Sequence, residues 1–389
     1  MINLNECIGC QACVDICPKN AITFEYDVWG EGRANINAEK CIECGLCDIC
    51  CPNVNIELNN AQTTVFAVVS KSNRNTGSSG GVFYELASSF IGNGGVVFGA
   101  AFDDNLKLKH KKVSSVFELV KFCKSKYLHS DMSGIYNQIS ECLNAGNRVM
   151  FVGTPCQVSA VKNLFSKKYS RQLLLVDFLC HGAGTQKVFD ICIKAEEEKK
   201  GGKITNFSFR AKTRNGEHSY KYTLKKGNRL KEISGIPAQF PYYNSYLEYS
   251  VFCESCYNCK YPRSERVGDI TLGDFWGIQN YNRKLVDRKG VSMICVNTTL
   301  GREYFEKIKS LCEIYEYPIE NAKKKNQAFR ENVNESCYLK KKAYVKLLLD
   351  EGEAALVNEL SCKTLKKVLI YHKIPLPVRT LWKKLRRRK

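Results

Sequence analysis

Eight cysteines near the N-terminus fall into two copies of one pattern. The first is Cys7-x2-Cys10-x2-Cys13-x3-Cys17-Pro18 and the second is Cys41-x2-Cys44-x2-Cys47-x3-Cys51-Pro52. Steps of three wrap a short loop so that three thiolates converge on one iron–sulfur cube, and the fourth cysteine, ahead of proline, crosses to the other cube. The spacing assigns Cys7, Cys10, Cys13 and Cys51 to one 4Fe-4S cluster and Cys41, Cys44, Cys47 and Cys17 to a second. Zinc fits less well, because its sites use pairs of close ligands rather than runs of four ending in Cys-Pro. Two such clusters relay single electrons and do no substrate chemistry alone. Cys50, beside a ligand, reads as a spare thiol.

A third group, Cys253-x2-Cys256-x2-Cys259, lies far along the chain, and two further cysteines end apolar runs: Cys156 in Gly153-Thr154-Pro155-Cys156-Gln157 and Cys180 in Cys180-His181-Gly182. Cys156, Cys180, Cys256 and Cys259 are a candidate ligand set for a third cluster, with Cys253 as substitute or bystander. A zinc knuckle or a redox-active pair is the rival, and the cluster is preferred because two others already deliver electrons to this chain. The remaining Cys123, Cys142, Cys192, Cys295, Cys312, Cys337 and Cys362 read as ordinary buried thiols. His181 reads as a proton donor near a cofactor or as a packed histidine, and Asp274 as a ligand of a cofactor hydroxyl or a turn cap.

The elements that must position these groups follow from periodicity. The residues after each Cys-Pro (Ala21 to Phe24 and Val54 to Glu57) read as short strands of a pseudo-symmetric repeat. Past residue 60 strands and helices alternate: a strand from Val65 to Ser70, the loop Ser78-Ser79-Gly80-Gly81, and a helix from Val82 to about Ile91. That loop is either a phosphate cradle at a helix start or a solvated turn. Arg148 to Val152 and Leu173 to Leu179 are buried strands that run into Cys156 and Cys180, each followed by a helix. Ligands of open α/β sheets gather beyond the carboxyl ends of strands, and both cysteines stand there. The expected fold class is α+β, with a bacterial 2[4Fe-4S] ferredoxin-like module (1–60) fused to an α/β flavin- and cluster-binding body in two parts (61–145 and 146–320) and a helical basic tail (321–389).

The 389 residues are long enough for such a body. The 21 cysteines argue for thiolate ligation rather than a disulfide scaffold, which belongs to short secreted chains. No apolar run is long enough to span a bilayer, and Met1 leads within six residues to a ligand cysteine, so a cytoplasmic location is expected. Charge is uneven: residues 1–60 carry three Lys/Arg against nine Asp/Glu, a balance of −6, which with the total of +20 leaves +26 on the rest. Between Lys363 and Lys389 eleven Lys/Arg alternate with apolar residues and no acid. That end reads as an anionic-membrane contact at the inner face or as a solubilising terminus, and nucleic acid is not expected as a partner. A membrane contact would suit a lipid-linked substrate.

Taken in order, Ser78-Ser79-Gly80-Gly81, Ser125-Lys126-Tyr127-x2-Ser130, the GTPCQ and CHG stretches, Phe209-Arg210, Cys256-x2-Cys259 and Gly273-Asp274-x-Trp276 resemble the coenzyme F-420 hydrogenase/dehydrogenase beta subunit family, here with an N-terminal dicluster domain. The resemblance covers residues 65 to about 300. It implies a flavoprotein oxidoreductase holding FAD and one further cluster. Ser78, Ser79, Gly80, Gly81, Lys126 and Tyr127 would lie near FAD, with Thr154 and Asp274 as further cofactor contacts and His181 as the catalytic candidate. Electrons would come from a low-potential donor such as ferredoxin and pass through the clusters to FAD and an organic substrate. A ferredoxin-coupled F-420 reductase and a non-catalytic electron-transfer subunit are the alternatives. Where relatives continue CHG with Val-Pro-Ser-Pro, this chain has Ala183-Gly184-Thr185-Gln186, which leaves the substrate open.

Overall fold

A computed structural model describes residues 6–59, 63–213, 216–285, 289–326, 329 and 333–373. In the front module the first cysteine run closes on a short helix, Ala12–Asp15, and the second on another, Leu46–Cys50. Gln11 and Glu43 take positive φ inside these runs, as do Gly9 and Gly45, which lets the chain turn between successive thiols. Strand β1 (Ile22–Tyr26) pairs antiparallel with β2 (Gly32–Ile36). The expected strand at Val54 to Glu57 does not form. Its backbone is held by side chains instead: Asn55 Nδ2 donates to the carbonyls of Asp48 and Ile49, and Asn163 Nδ2 donates to Asn55 O at 2.9 Å.

The body is built on one eight-stranded mixed sheet of β3 (Thr64–Ser70), β4 (Val96–Phe102), β5 (Leu108–Val113), β6 (Val149–Val152), β7 (Leu173–Phe178), β11 (Ile270–Asp274), β12 (Ser292–Val296) and β13 (Cys312–Tyr317), in the order β13-β3-β12-β11-β7-β6-β4-β5. Strands β4, β6, β7 and β11 run parallel; the outer ones are antiparallel. Buried runs such as Leu173 to Val176 are what a sheet covered on both faces requires. The helices Val82–Gly92, Pro155–Tyr169 and Gln186–Lys200 stand where periodicity puts them. A second antiparallel sheet, β8 (Lys203–Thr213), β9 (Gly216–Lys226) and β10 (Arg229–Gly235), covers an aromatic core. The C-terminal helices Glu335–Glu351 and Glu353–Leu360 add Tyr344, Leu348, Leu356 and Leu360 to the same core. Most of the basic tail read as a membrane contact, 374–389, lies outside the described residues.

Front module and body are keyed together. Trp29 is fully buried in the body's aromatic core, and Thr185 Oγ1 donates to its carbonyl at 2.6 Å. Asp15 accepts from the amides of Gly134 and Tyr136, so a module carboxylate serves the free N–H groups at the start of the body helix Ile135–Asn144. Asn59 Nδ2 donates to Val267 O and Gly268 O at 3.1 and 2.7 Å.

Candidate redox centre

Cys7, Cys10, Cys13 and Cys51 stand within one another's electrostatic reach. Burial pushes the Cys13 thiol up to about 12, with Cys7, Cys51 and Cys47 adding to the rise; Cys10 and Cys51 are raised by burial and by members of the same set. The other four are more open. Burial raises Cys47, with Asp48 and Cys41 contributing, while Cys44 is exposed. Backbone amides already point at sulfur in this set: Ala21 N–H donates to Cys17 Sγ at 3.3 Å and Glu43 N–H to Cys41 Sγ at 3.4 Å. Such bonds stabilise thiolates and tune a cluster's potential. Cys50 is buried between the sets, raised by burial and by Cys13, Cys51 and Cys47. Among the described residues, no three His, Cys, Asp or Glu side chains converge on a point suited to one metal ion.

The strand ends gather the third set. Cys156 follows β6, Pro155 opens its helix, and Thr154 with Gln157 forms a reciprocal cap. Cys180 follows β7. Gly182, at φ +126°, packs under the ring of Phe252, and Cys253 N–H donates to Ala183 O at 2.8 Å, which brings the Cys253–Cys259 loop beside the CHG turn. Burial pushes Cys180 to about 12, with Cys156 and Cys259 adding, and pushes Cys156 to about 11, with Cys259 adding. Cys256 is raised by burial, then by Cys253, Cys180 and Cys259. All four line a cavity of about 810 Å³. Cys253 stays close, since Cys156 contributes to its rise. The cation answering these thiols is Arg266, 2% exposed and ion-paired with Asp177 at 3.4 Å. Cys337, expected as a core thiol, is half-buried on the wall of this cavity, and Cys362 is half-buried beside Thr364.

A second cavity, about 710 Å³, opens on the other side of the CHG turn, and Cys180, His181 and Thr154 line both. Ser78, Ser79, Gly81, Lys126, Tyr127, Thr154, Asp274 and His181 all line it. Gly80 does not: a Cβ there would lie 2.3 Å from Val68 O, so Gly80 lets the loop press onto β3 while its neighbours face the cavity. Tyr127 stacks on Tyr246 with ring centroids 4.2 Å apart. Lys126 Nζ donates to the carbonyls of Cys123 and Lys121 at 2.7 and 3.0 Å, and burial lowers its pKa to about 7. Burial also lowers His181, against the opposing pull of Asp274.

Arg210 organises the mouth of this cavity, a role that the Phe209-Arg210 stretch does not announce. It is 5% exposed and sits at φ +49° where β8 shifts register. It is ion-paired with Asp274, donates to Ser78 O at 3.4 Å, and lies 5.8 Å from the Trp276 ring. Lys212 Nζ donates to Ser79 O at 2.5 Å. Ser79 Oγ is buried with no protein partner, an orphan polar atom on a cavity wall and the kind of group a polar ligand satisfies.

Sequence reading also misses His110, Ser130 and the role of Gln157. His110 Nε2 donates to Val152 O at 3.1 Å, so its neutral Nδ1 accepts from Ser130 at 2.8 Å. Ser130 accepts from Gln157 Nε2 at 3.0 Å, and Gln157 Oε1 accepts from the Thr154 amide at 3.1 Å. Thr154 Oγ1 lies 3.0 Å from Cys156 Sγ. A thiolate can only accept, so an ionised Cys156 takes the Thr154 hydroxyl proton. Burial lowers His110 to about 4, which keeps this chain of bonds neutral.

Fold and thiol sets define an iron–sulfur electron-transfer protein. Residues 6–55 match the 4Fe-4S dicluster domain, and residues 146–322 match the family described as the C terminus of the coenzyme F420 hydrogenase/dehydrogenase beta subunit. The chain belongs to that beta subunit family, with a dicluster domain at its N-terminus. Among solved structures it resembles a chain of the F420-reducing [NiFe] hydrogenase complex from Methanosarcina barkeri, studied by xenon derivatization, at 15% identity over 74% of this chain and 90% of that one, with a TM-score of 0.44. No curated protein matches. Among the described residues no helix is long and apolar enough to cross a membrane.

Proposed function

We propose that the chain is a flavin-dependent oxidoreductase that takes single electrons from a low-potential donor of the ferredoxin type and delivers pairs of them to an organic substrate. The observation that carries this reading is the shared wall: Thr154, Cys180 and His181 separate a cavity lined by four cysteines from one lined by polar loops and an unsatisfied serine. Bound groups would supply the redox chemistry, with iron–sulfur clusters carrying one electron at a time and FAD converting single electrons to pairs.

The protein's own part is binding, orientation and charge. Cys7, Cys10, Cys13 and Cys51, and Cys17, Cys41, Cys44 and Cys47, would hold the two front clusters, and Cys156, Cys180, Cys256 and Cys259 the third. The Ser78–Gly81 loop, Lys126, Tyr127, Thr154 and the Arg210–Asp274 pair would hold the flavin. Arg266 offsets thiolate charge in the third set. His181, on the shared wall, is placed to hold a proton for the substrate.

Anaerobic purification followed by iron, sulfide and flavin quantification tests the reading. About twelve irons, from three four-iron clusters, and one FAD per chain are expected. About eight irons with no flavin would leave an electron carrier that serves a separate enzyme. Reduction of oxidised coenzyme F420 by the loaded protein would favour the deazaflavin as substrate over other organic acceptors.

A further inference from the structure

We propose that the outer face of the dicluster module, around Cys44, docks a one-electron redox protein whose contact surface has an apolar centre and a basic rim. This rests on the electron-relay reading and adds to it the surface chemistry of the donor.

The two halves of the module differ in exposure. Cys10, Cys13 and Cys50 are buried toward the body, whereas Cys44 is exposed. Around Cys44 the apolar side chains are exposed too: Ile42 by 56%, Leu46 by 39%, Ile49 by 55% and Val54 by 51%. Leu46 and Ile49 are three apart on one short helix and so share a face. Asn55 bonds to the carbonyls of Asp48 and Ile49, which sets the Val54 turn against the end of that helix. Four of the fifteen exposed large apolar side chains among the described residues thus fall within thirteen residues of chain. Each would be more stable out of water, and a cluster of this kind marks a contact face.

Charge chooses the partner. Glu39, Glu43 and the half-buried Asp48 flank the patch against the single Lys40, and ligating thiolates add negative charge. The rest of the chain is strongly basic, so this local sign is opposite to the molecule's +20. An acidic carrier meets like charge here, and a carrier with lysines around its redox edge meets complementary charge. The patch is small, which suits a complex that forms and parts with each electron. In that step the donor loses one electron and the module gains one, with no bond made or broken.

The test uses the full chain, loaded with iron and reduced by dithionite under anaerobic conditions. Mammalian cytochrome c is the basic-rimmed probe and an acidic plant-type ferredoxin the opposite one, both followed by stopped-flow absorbance. Cytochrome c reduction is expected to slow as salt rises, despite the positive charge of both proteins. Glu39→Lys and Glu43→Lys are each expected to lower its second-order rate about tenfold at low salt. Ile49→Ser and Ile42→Ser should lower it at high salt as well, and Glu313→Lys, on the outer strand β13, should leave it unchanged. Exchange with the acidic ferredoxin should quicken as salt rises. Unchanged rates in the Glu43→Lys and Ile49→Ser proteins, with full iron content, would overturn the docking face and leave the relay standing. Equal slowing in Glu313→Lys would overturn it as a global charge effect. A chain that binds no iron, or is not bleached by dithionite, would overturn the relay itself before any partner is added.

Discussion

The hydroxyl of Tyr261 donates to the carbonyl of Pro52 at 3.0 Å, tying the loop beyond Cys259 to the residue that follows Cys51. Tyr136 makes the matching bond on the other side, to Cys10 O at 2.8 Å. Both rings are buried, at 6% and 1% exposure, between the front thiols and the third set. Two loops that would hold different clusters are thus joined through two phenols. Tyr261→Phe deletes one of these bonds and leaves a buried carbonyl unpaired, so a loss of about 1–3 kcal/mol is expected. Urea unfolding of the iron-loaded protein checks it, and magnetic resonance of the reduced protein should show weaker spin coupling between the clusters.

A buried ion pair holds the same junction from the C-terminal side. Lys341 Nζ lies 2.7 Å from Glu31 Oε1, with exposures of 6% and 7%. Glu31 also accepts from the Glu254 amide at 2.9 Å, next to Cys253. Lys341→Met strands the carboxylate and should cost about 3–5 kcal/mol, and Glu31→Gln alone should also destabilise. The double variant should recover a large part of the loss. Thermal unfolding of the four proteins completes the cycle.

Arg210 and Asp274 should matter to flavin and not to iron. The guanidinium joins Asp274, Ser78 and Trp276 at one mouth of the 710 Å³ cavity. Arg210→Lys keeps a charge but loses the planar fork, and flavin per chain should fall severalfold while iron per chain holds. Asp274→Asn should lower flavin as well. Equal loss of iron and flavin in both proteins would show that the pair supports the fold instead.

Lys126 gives a pH dependence with a definite sign. Burial lowers its pKa to about 7 in the ligand-free protein. A bound anion such as the FAD pyrophosphate favours the protonated amine and raises that value. Below 7 the amine is charged before binding and affinity is at its highest; as pH rises above 7 binding must also take up a proton. Affinity should then fall by at most about tenfold per pH unit. Flavin fluorescence titrations at pH 6 and 8.5 measure the difference, and Lys126→Met should flatten it.

The parts of the fold legible in sequence are those set by periodicity and by ligand spacing. The buried runs ending at Val152 and Phe178 fix β6 and β7, and with them the places of Cys156 and Cys180. The internal repeat misleads at Val54 to Glu57, because body side chains satisfy that backbone and it needs no partner strand. Arg210 carries no local signal of its position: its ion pair with Asp274 joins residues 64 apart and depends on a register shift in β8. His110 is hidden for the same reason, since Ser130, Val152 and Gln157 meet it only once the sheet is assembled. Gly80 reads as facing a ligand along with its neighbours, but a four-residue loop turns only some of its backbone outward.

One helix, Pro155–Tyr169, carries Cys156 in its first turn and Asn163 two turns later, and Asn163 grips Cys50 O and Asn55 O of the front module. A rod of this kind does not bend between its two duties. The dicluster module has therefore given up the liberty of a free-swimming carrier, which finds each partner by diffusion and leaves again. It behaves as a soldered contact: exchange with the outside is confined to its far side, and any traffic within the chain runs over a distance that thermal motion does not reset.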